Sequence, residues 1–341
     1  MAEAVNDIFG IRKIYPTNIH PNRAKTCLLG KGDWRRRRYN GIGDWNDMPT
    51  STDADGNFII TLVTSGRKGR MPVLSLRRDL YPRDNDDHSI IHKVKNQNLL
   101  RKRGFMGSTK HDWKNVEMTM YFRVRRTVED TEANKTMAFS ARGGPHHSNG
   151  GLFRLSRCWG TALYVGLRVR VGTAYIKKEL GHGYYTGGIE SSGIVTGDLL
   201  NVWIGMKGIF YTKANGNPKI ELWLDRQINN NWELILEYED VGGWFLPPGK
   251  NNKCKGERNE KITWGGPGVI FKLDGLNVVD MKWASVREIV PPEGWPLRYL
   301  LHARDVPSPF SMRSLVEEFG LRVPISLRQL TQLEAERFPF P

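Results

Sequence analysis

Between Trp113 and Ile289 apolar and polar residues alternate in run after run. In the stretch 116–124, Val116, Met118, Met120, Phe122 and Val124 fall on one side of an extended chain, and Glu117, Thr119, Tyr121 and Arg123 fall on the other. Successive side chains of a strand point to opposite faces, so one face is expected to be core and the other wet. The same period recurs at 138–142, 163–176, 199–211, 219–225, 232–238, 269–273 and 279–286, with Gly, Asn and Pro between the runs. Such breaks suit antiparallel strands joined by tight turns. About eight strands here, with others upstream, predict an all-β sandwich of two stacked antiparallel sheets or a jelly roll.

The flanking sequence decorates this core. Residues 1–65 read as an irregular entry that carries the first strands, with 58–63 as one of them. The preceding Asp53-Ala-Asp55-Gly-Asn57 reads as a turn. Its Asp53-x-Asp55-Gly56 spacing also suits a calcium loop, but the bidentate Glu such a loop needs does not follow. Residues 66–112 form a charged insertion with a helix expected over 92–103, ended by Gly104. The core runs over 113–290. Pro291, Pro292, Pro296, Pro307 and Pro309 then make an extended linker, followed by short helices at 311–319 and from Ser326. A C-terminal clasp or oligomerisation arm is the preferred reading of 291–341. The turn with Gly320 and Pro324 also has the outline of a helix-turn-helix.

Size and charge narrow the function classes. With 341 residues and 39% hydrophobic content, one large sandwich with decorations is favoured over two domains. No run approaches the ~20 apolar residues of a membrane helix, and the N-terminal sequence lacks the basic and apolar regions of a signal peptide. The chain as read is expected to be soluble and either intracellular, a trimmed mature form, or secreted by another route. A net charge of +15 favours polyanionic partners: nucleic acid, anionic lipid, uronate polysaccharide or sulfated glycan. Arg35, Arg36, Arg37 and Arg38 form the densest basic cluster, either a polyanion contact or a solvated loop. The three cysteines have no Cys-x-x-Cys spacing and no metal is expected. Cys158 and Cys254 both fall in Gly- and Asn-rich segments, so a bridge between them across one rim of the sandwich is open.

Several segments resemble a group of uncharacterised archaeal and environmental proteins with a concanavalin A-like, or LamG-like, sandwich. They are Ile-Tyr-Pro-Thr at 14–17, Asp-Trp-Lys-Asn-Val-Glu-Met-Thr at 112–119, Ala-Arg-Gly-Gly at 141–144 and Gly-Gly-Trp at 242–244. Cys-Lys-Gly at 254–256, Ile-Thr-Trp-Gly-Gly-Pro at 262–267 and Ser-Val-Arg-Glu-Ile at 285–289 complete the set. The resemblance implies a concanavalin A-like fold, supports a Cys158 to Cys254 bridge, and suggests an extracellular origin. Its Lys-Glu-x-x-His segment is similar to Lys178-Glu-Leu-Gly-His182, followed here by Tyr184 and Tyr185. The chain departs from the group in its basic insertions and in the tail after Val290. The wider superfamily includes lectins, glycosidases, polysaccharide lyases and adhesive modules, so the resemblance guides the fold more than the function.

Superfamily members that cleave polysaccharides use the concave face of one sheet. By strand alternation Arg142 is expected opposite Met137, Phe139 and Ala141, leading into His146 and His147. Lys178, His182, Tyr184 and Tyr185 form a second cluster. Together they supply what β-elimination of a uronate requires. Arg142 would neutralise the C5 carboxylate, His182 or Tyr184 would remove the C5 proton, and Tyr184 would protonate the leaving oxygen. Lys178, Tyr185 and His146 would hold the substrate. The Arg-x-Glu-Leu-Arg and Gln-x-His segments of alginate lyases are absent. A glycosidase needs two carboxylates about 5 to 10 Å apart, whereas Glu221 and Asp225 sit ~13 Å apart on one strand face. Glu221 beside Trp223 would serve in a sugar site only if another strand supplied the second acid. No P-loop, Rossmann fingerprint or Gly-x-Ser-x-Gly elbow is present, and no cofactor is expected. The expected partner is a polysaccharide, bound or cleaved. The alternative is an assembly protein whose basic region contacts nucleic acid and whose tail grips a neighbour.

Overall fold

The computed structural model describes residues 5–7, 9–18, 26–28, 34–38, 41–44, 50–63, 73–77, 113–127, 135–143, 161–181, 184–246, 260–265 and 268–292. Among them the chain forms sixteen strands and no α-helix. The first six are β1 (Thr26–Leu28), β2 (Trp34–Arg38), β3 (Gly41–Asp44), β4 (Thr50–Thr52), β5 (Phe58–Val63) and β6 (Val73–Arg77). Then follow β7 (Val116–Thr127), β8 (Thr136–Gly143), β9 (Thr161–Arg168), β10 (Ala174–Leu180) and β11 (Ile189–Glu190). The last five are β12 (Trp203–Thr212), β13 (Pro218–Asp225), β14 (Glu233–Glu239), β15 (Gly268–Asp274) and β16 (Leu276–Glu288).

These strands build two antiparallel sheets. The first runs β14-β13-β12-β7-β16-β5-β4, with β1 also paired to β16, and the second runs β11-β10-β9-β8-β15-β6-β2-β3. The chain crosses between the sheets several times, as in a jelly roll: β7 and β16 are neighbours in the first sheet and β8 and β15 pair in the second, while β8 to β11 stay in the second sheet and β12 to β14 in the first. The predicted all-β sandwich is therefore the observed fold. The helices expected at 92–103, 311–319 and beyond 326 lie outside the described residues.

The core is what the alternation called for. Val116, Met118, Met120, Phe122 and Val124 of β7 face Met137, Phe139, Leu163, Val165 and Phe271 of the second sheet, all fully buried in one cluster. Phe139 and Phe271 meet edge to face at 4.7 Å, a geometry the ring quadrupoles favour. Two expectations need correction. The run 163–176 is not one strand but a hairpin, β9 and β10, which turns at Gly172 with φ 71°. Residues 73–77, read as part of an insertion, are strand β6 of the second sheet.

The face of β7 expected to be wet is also covered. Glu117, Thr119 and Tyr121 are buried, because residues 9–18 lie against the outer side of the first sheet. Ile11, Ile14 and Tyr15 pack there on Tyr121, Trp232, Ile209 and Tyr211. The segment is tied at its end by hydrogen bonds from Asn18 N to Glu288 O and from Val290 N to Pro16 O.

Candidate functional site

The outer face of the first sheet uses its polar groups internally. Glu117 accepts hydrogen bonds from the backbone of Ile14 and Tyr15, at 3.1 and 3.3 Å, and pairs with Lys207 at 3.0 Å and with Arg287. Burial works against its charge, but the two cations win and hold its carboxyl well below the usual range, at about 2. Glu221 receives the hydroxyls of Tyr15 and Tyr211 at 3.0 and 2.9 Å and the indole N–H of Trp223 at 2.9 Å. Burial raises its pKa, and the three donors only partly offset this. Asp225 accepts from the Tyr121 hydroxyl at 2.6 Å and from the backbone of Asn229 and Asn230. Glu221 and Trp223 therefore meet the covering segment, and Asp225 holds the turn whose Asn230 bonds to Arg12 and Gly10 of that segment. The Asp53 carboxylate closes its own turn through Asn57 and takes the Lys282 ammonium at 2.8 Å. Both Asp53 oxygens are thus engaged within the protein, as the turn reading of this motif expects.

Two residues expected in a groove lie between the sheets. Arg142 sits at φ 57° where the β8 and β15 ladder shifts register, and this bulge turns its side chain off the outer face. The buried guanidinium donates to the carbonyls of Lys114 and Ile262 at 3.0 and 2.7 Å and to Thr212 of β12 at 2.8 Å. It thus ties the second sheet to the first. Lys178 shares the inward side of β10 with Ile176 and Leu180, and its ammonium meets Asp240 at 2.7 Å with both side chains 0% exposed. Trp244 lies 5.1 Å from that ammonium. Neither cation is presented to a ligand.

The hairpin after β10 sorts the two tyrosines. The chain turns at Gly181 and comes back, so that Tyr185 bridges to Glu179 while Tyr184 bonds through its backbone to Leu180. Cross-strand partners share a face. Tyr184 consequently packs on the core, and Tyr185 stands on the outer face of the second sheet. His146, His182, Cys158 and Cys254 lie outside the described residues.

That outer face carries a constellation the sequence reading passed over. The Tyr164 hydroxyl donates to Glu179 at 2.7 Å, Tyr185 also bonds to Glu179, and the two rings meet edge to face at 6.0 Å. Burial and the carboxylate push both phenols above their ordinary pKa, so at neutral pH they keep their protons. Lys272 lies 5.8 Å from the Tyr164 ring and 2.9 Å from Asp274. Burial opposes its charge, yet Asp274 and the phenols of Tyr185 and Tyr175 outweigh that and raise its pKa. Arg168 is held by Glu190 at 2.9 Å. Lys177, half-buried, stands over the Tyr175 ring at 4.5 Å and has no carboxylate within ion-pair distance among the described residues. Burial and the Arg168 charge lower its pKa, against the pull of Glu190 and Asp274 from beyond ion-pair distance. The Tyr175 ring itself lies over Gly166, where a Cβ would come within 2.2 Å of it.

Strand register extends these rows. Lys177 pairs with Tyr164, Tyr164 with Ser140, Ser140 with Ile270, Ile270 with Ser75 and Ser75 with Arg35. The neighbouring row joins Tyr175, Gly166, Ala138, Lys272, Val73 and Arg37. Arg35 and Arg37 thus share register rows with the tyrosines and lysines, whereas Arg36 and Arg38 occupy the alternate positions. The readable signal was Tyr175-x-Lys177-x-Glu179, which becomes visible once β10 is separated from β9.

No family model matches this chain, and no curated protein matches it either. Solved structures with a similar chain path do exist. One is the carbohydrate binding module CBM66 from Bacillus subtilis, with a TM-score of 0.35 and 7% identity over 76% of this chain and 98% of that one. A PL-14 alginate lyase from Aplysia kurodai gives 0.39 and 7% over 71% and 87% of the two chains. The globular domain of T. cruzi calreticulin gives 0.35 and 10% over 91% and 95%. The functional reading therefore rests on the side chains themselves.

Proposed function

We propose that this chain binds an anionic polysaccharide across the outer face of its second sheet. The observation that carries the reading is Lys177: a half-buried ammonium over Tyr175, beside the Tyr164, Glu179 and Tyr185 cluster, without a carboxylate partner among the described residues. A cation so placed, drawn to Glu190 and Asp274 only from beyond ion-pair distance, leaves a direct pairing position for a ligand carboxylate or sulfate. Tyr185, the partly exposed tyrosine of this set, offers ring surface to sugar C–H groups, which is how amphipathic aromatics serve at polar ligands, while the buried Tyr164 and Tyr175 support it from beneath. The charge of +15 draws polyanions towards the molecule, and the register of Arg35 and Arg37 continues the same rows.

β-Elimination is the catalytic extension of this reading. Tyr185, protonated and half-exposed, suits proton donation to a leaving glycosidic oxygen and not abstraction of the C5 proton. Lys177 would neutralise the uronate carboxylate, and the base would be His182, as expected from the sequence. Incubation with polyuronates and neutral polysaccharides tests both levels. Retarded migration in a polyuronate gel, relative to a neutral one, is the result expected for binding. New ultraviolet absorbance from unsaturated ends would establish elimination, and equal migration in all gels would refute the proposal.

A further inference from the structure

The geometry points to a second binding platform, on the opposite side of the sandwich, where Trp203, Trp283 and Arg125 take an acidic sugar residue. It starts from a backbone irregularity. Trp283 has φ 53°, a left-handed conformation that a bulky L-residue rarely adopts. It sits where the β16 and β7 ladder shifts register between Lys282 and Ser285. Alternation would send Lys282 and Trp283 to opposite faces, but the bulge turns both outward. Trp283 meets the Tyr121 ring edge at 4.9 Å, and the Lys282 ammonium lies 4.2 Å from Trp283 and 4.9 Å from Trp203. Bulges recur where a side chain has to be re-aimed towards a site.

The next row of the sheet supplies the charge. Trp203 pairs in register with Arg123, Arg123 with Asp280, and Asp280 with Thr61. Asp280 is already satisfied: Arg123 grips it through Nε and Nη2 at 3.0 and 2.7 Å, and Thr61 donates at 2.8 Å. Arg125, beside them, reaches Asp280 only at 3.9 Å and keeps 55% of its side chain exposed. Its guanidinium is the group left to grip an anion, two oxygens at a time. Both indoles are partly exposed, and the covering segment reaches as far as Ser285 through Asp7. Arg123 and Lys282 already lie over the Trp203 ring at 5.1 and 4.9 Å, so a pyranose would meet the indole surface these cations leave exposed while its carboxylate or sulfate pairs with Arg125. The ligand class is the one proposed for the second sheet, but the side chains are different and each site stands or falls alone.

Calorimetric titration of the full chain with a short oligogalacturonate, and with its sulfated counterpart, separates the two sites. Arg125→Ala, at an exposed position, should keep the wild-type melting temperature, weaken this site about tenfold and reduce the ligand bound per chain. Trp203→Ala should do the same wherever it folds, and Arg125→Ala decides the matter if it does not. Lys177→Ala should leave this site intact. If Arg125→Ala binds both sugars like wild type, the platform is refuted, even when Lys177→Ala loses affinity. If Arg125→Ala instead weakens only the binding of a single-stranded oligonucleotide, the sugar assignment is wrong.

Discussion

The hydroxyl of Tyr164 donates a 2.7 Å hydrogen bond to Glu179, and each residue lies one strand position on from the inward-facing pair Leu163 and Lys178. One buried carboxylate thereby orients two phenols, those of Tyr164 and Tyr185, on the outer face. Replacing Glu179 with Ala takes the shared acceptor from both hydroxyls. The loss should be about 1–3 kcal/mol for each buried group left unpaired, read as a lower midpoint in urea unfolding. Affinity for a polyuronate should fall with it, because the rings lose their orientation.

Lys178 and Asp240 should behave as a structural pair. Removing one partner of a buried ion pair leaves an uncompensated charge, so Asp240→Ala should destabilise by about 3–5 kcal/mol. The double variant Lys178→Met with Asp240→Leu should recover much of that loss. Chemical denaturation of the three variants checks the cycle, and a single variant that costs nothing would contradict it.

The covering segment should loosen in acid. Glu117 has its pKa depressed to about 2 in the folded chain, against an ordinary value near 4.5. Its folded form binds fewer protons than its unfolded form in that interval, so the contribution is complete above about 4.5 and is lost as pH falls towards about 2. Glu117→Gln should be less stable than wild type at neutral pH, and the gap should close on acidification. A gap that stays constant across that window would show that Glu117 does not carry this stability.

Gly172 is required by its turn. Its φ of 71° is left-handed, and a Cβ there would lie 2.0 Å from the carbonyl oxygen of Thr196, a backbone atom that cannot swing aside. Gly172→Ala should therefore cost more than about 1 kcal/mol in thermal or urea unfolding. Gly187→Ala, where no atom lies within 4 Å, should stay within about 0.5 kcal/mol of wild type.

Alternation was enough to read the two-sheet architecture and the inward set from Val116 to Val124, since burial of one face imposes a period of two. It could not foresee that Arg142 would turn inward, because a bulge breaks the period without altering composition. Nor could it rank Tyr185 over Tyr184: their faces depend on the turn at Gly181, and a shift of one residue exchanges them. The covering segment was equally hidden. Residues 9–18 have no periodicity of their own, and only the first sheet's polar groups give them a place. Of the expected site residues whose side chains are described, Tyr185 joins the outer-face cluster, and the alternating Tyr175, Lys177 and Glu179 were legible but merged with the preceding strand.

The central claim is that Lys177 and its tyrosine neighbours bind an anionic polysaccharide. The most direct test is calorimetric titration of wild type and Lys177→Ala with an oligouronate, in low and in raised salt. The account predicts binding to wild type that weakens with salt, a loss of about tenfold in Lys177→Ala, and an unchanged melting temperature. Equal affinity of the two proteins, or no heat of binding to wild type at low salt, would contradict it.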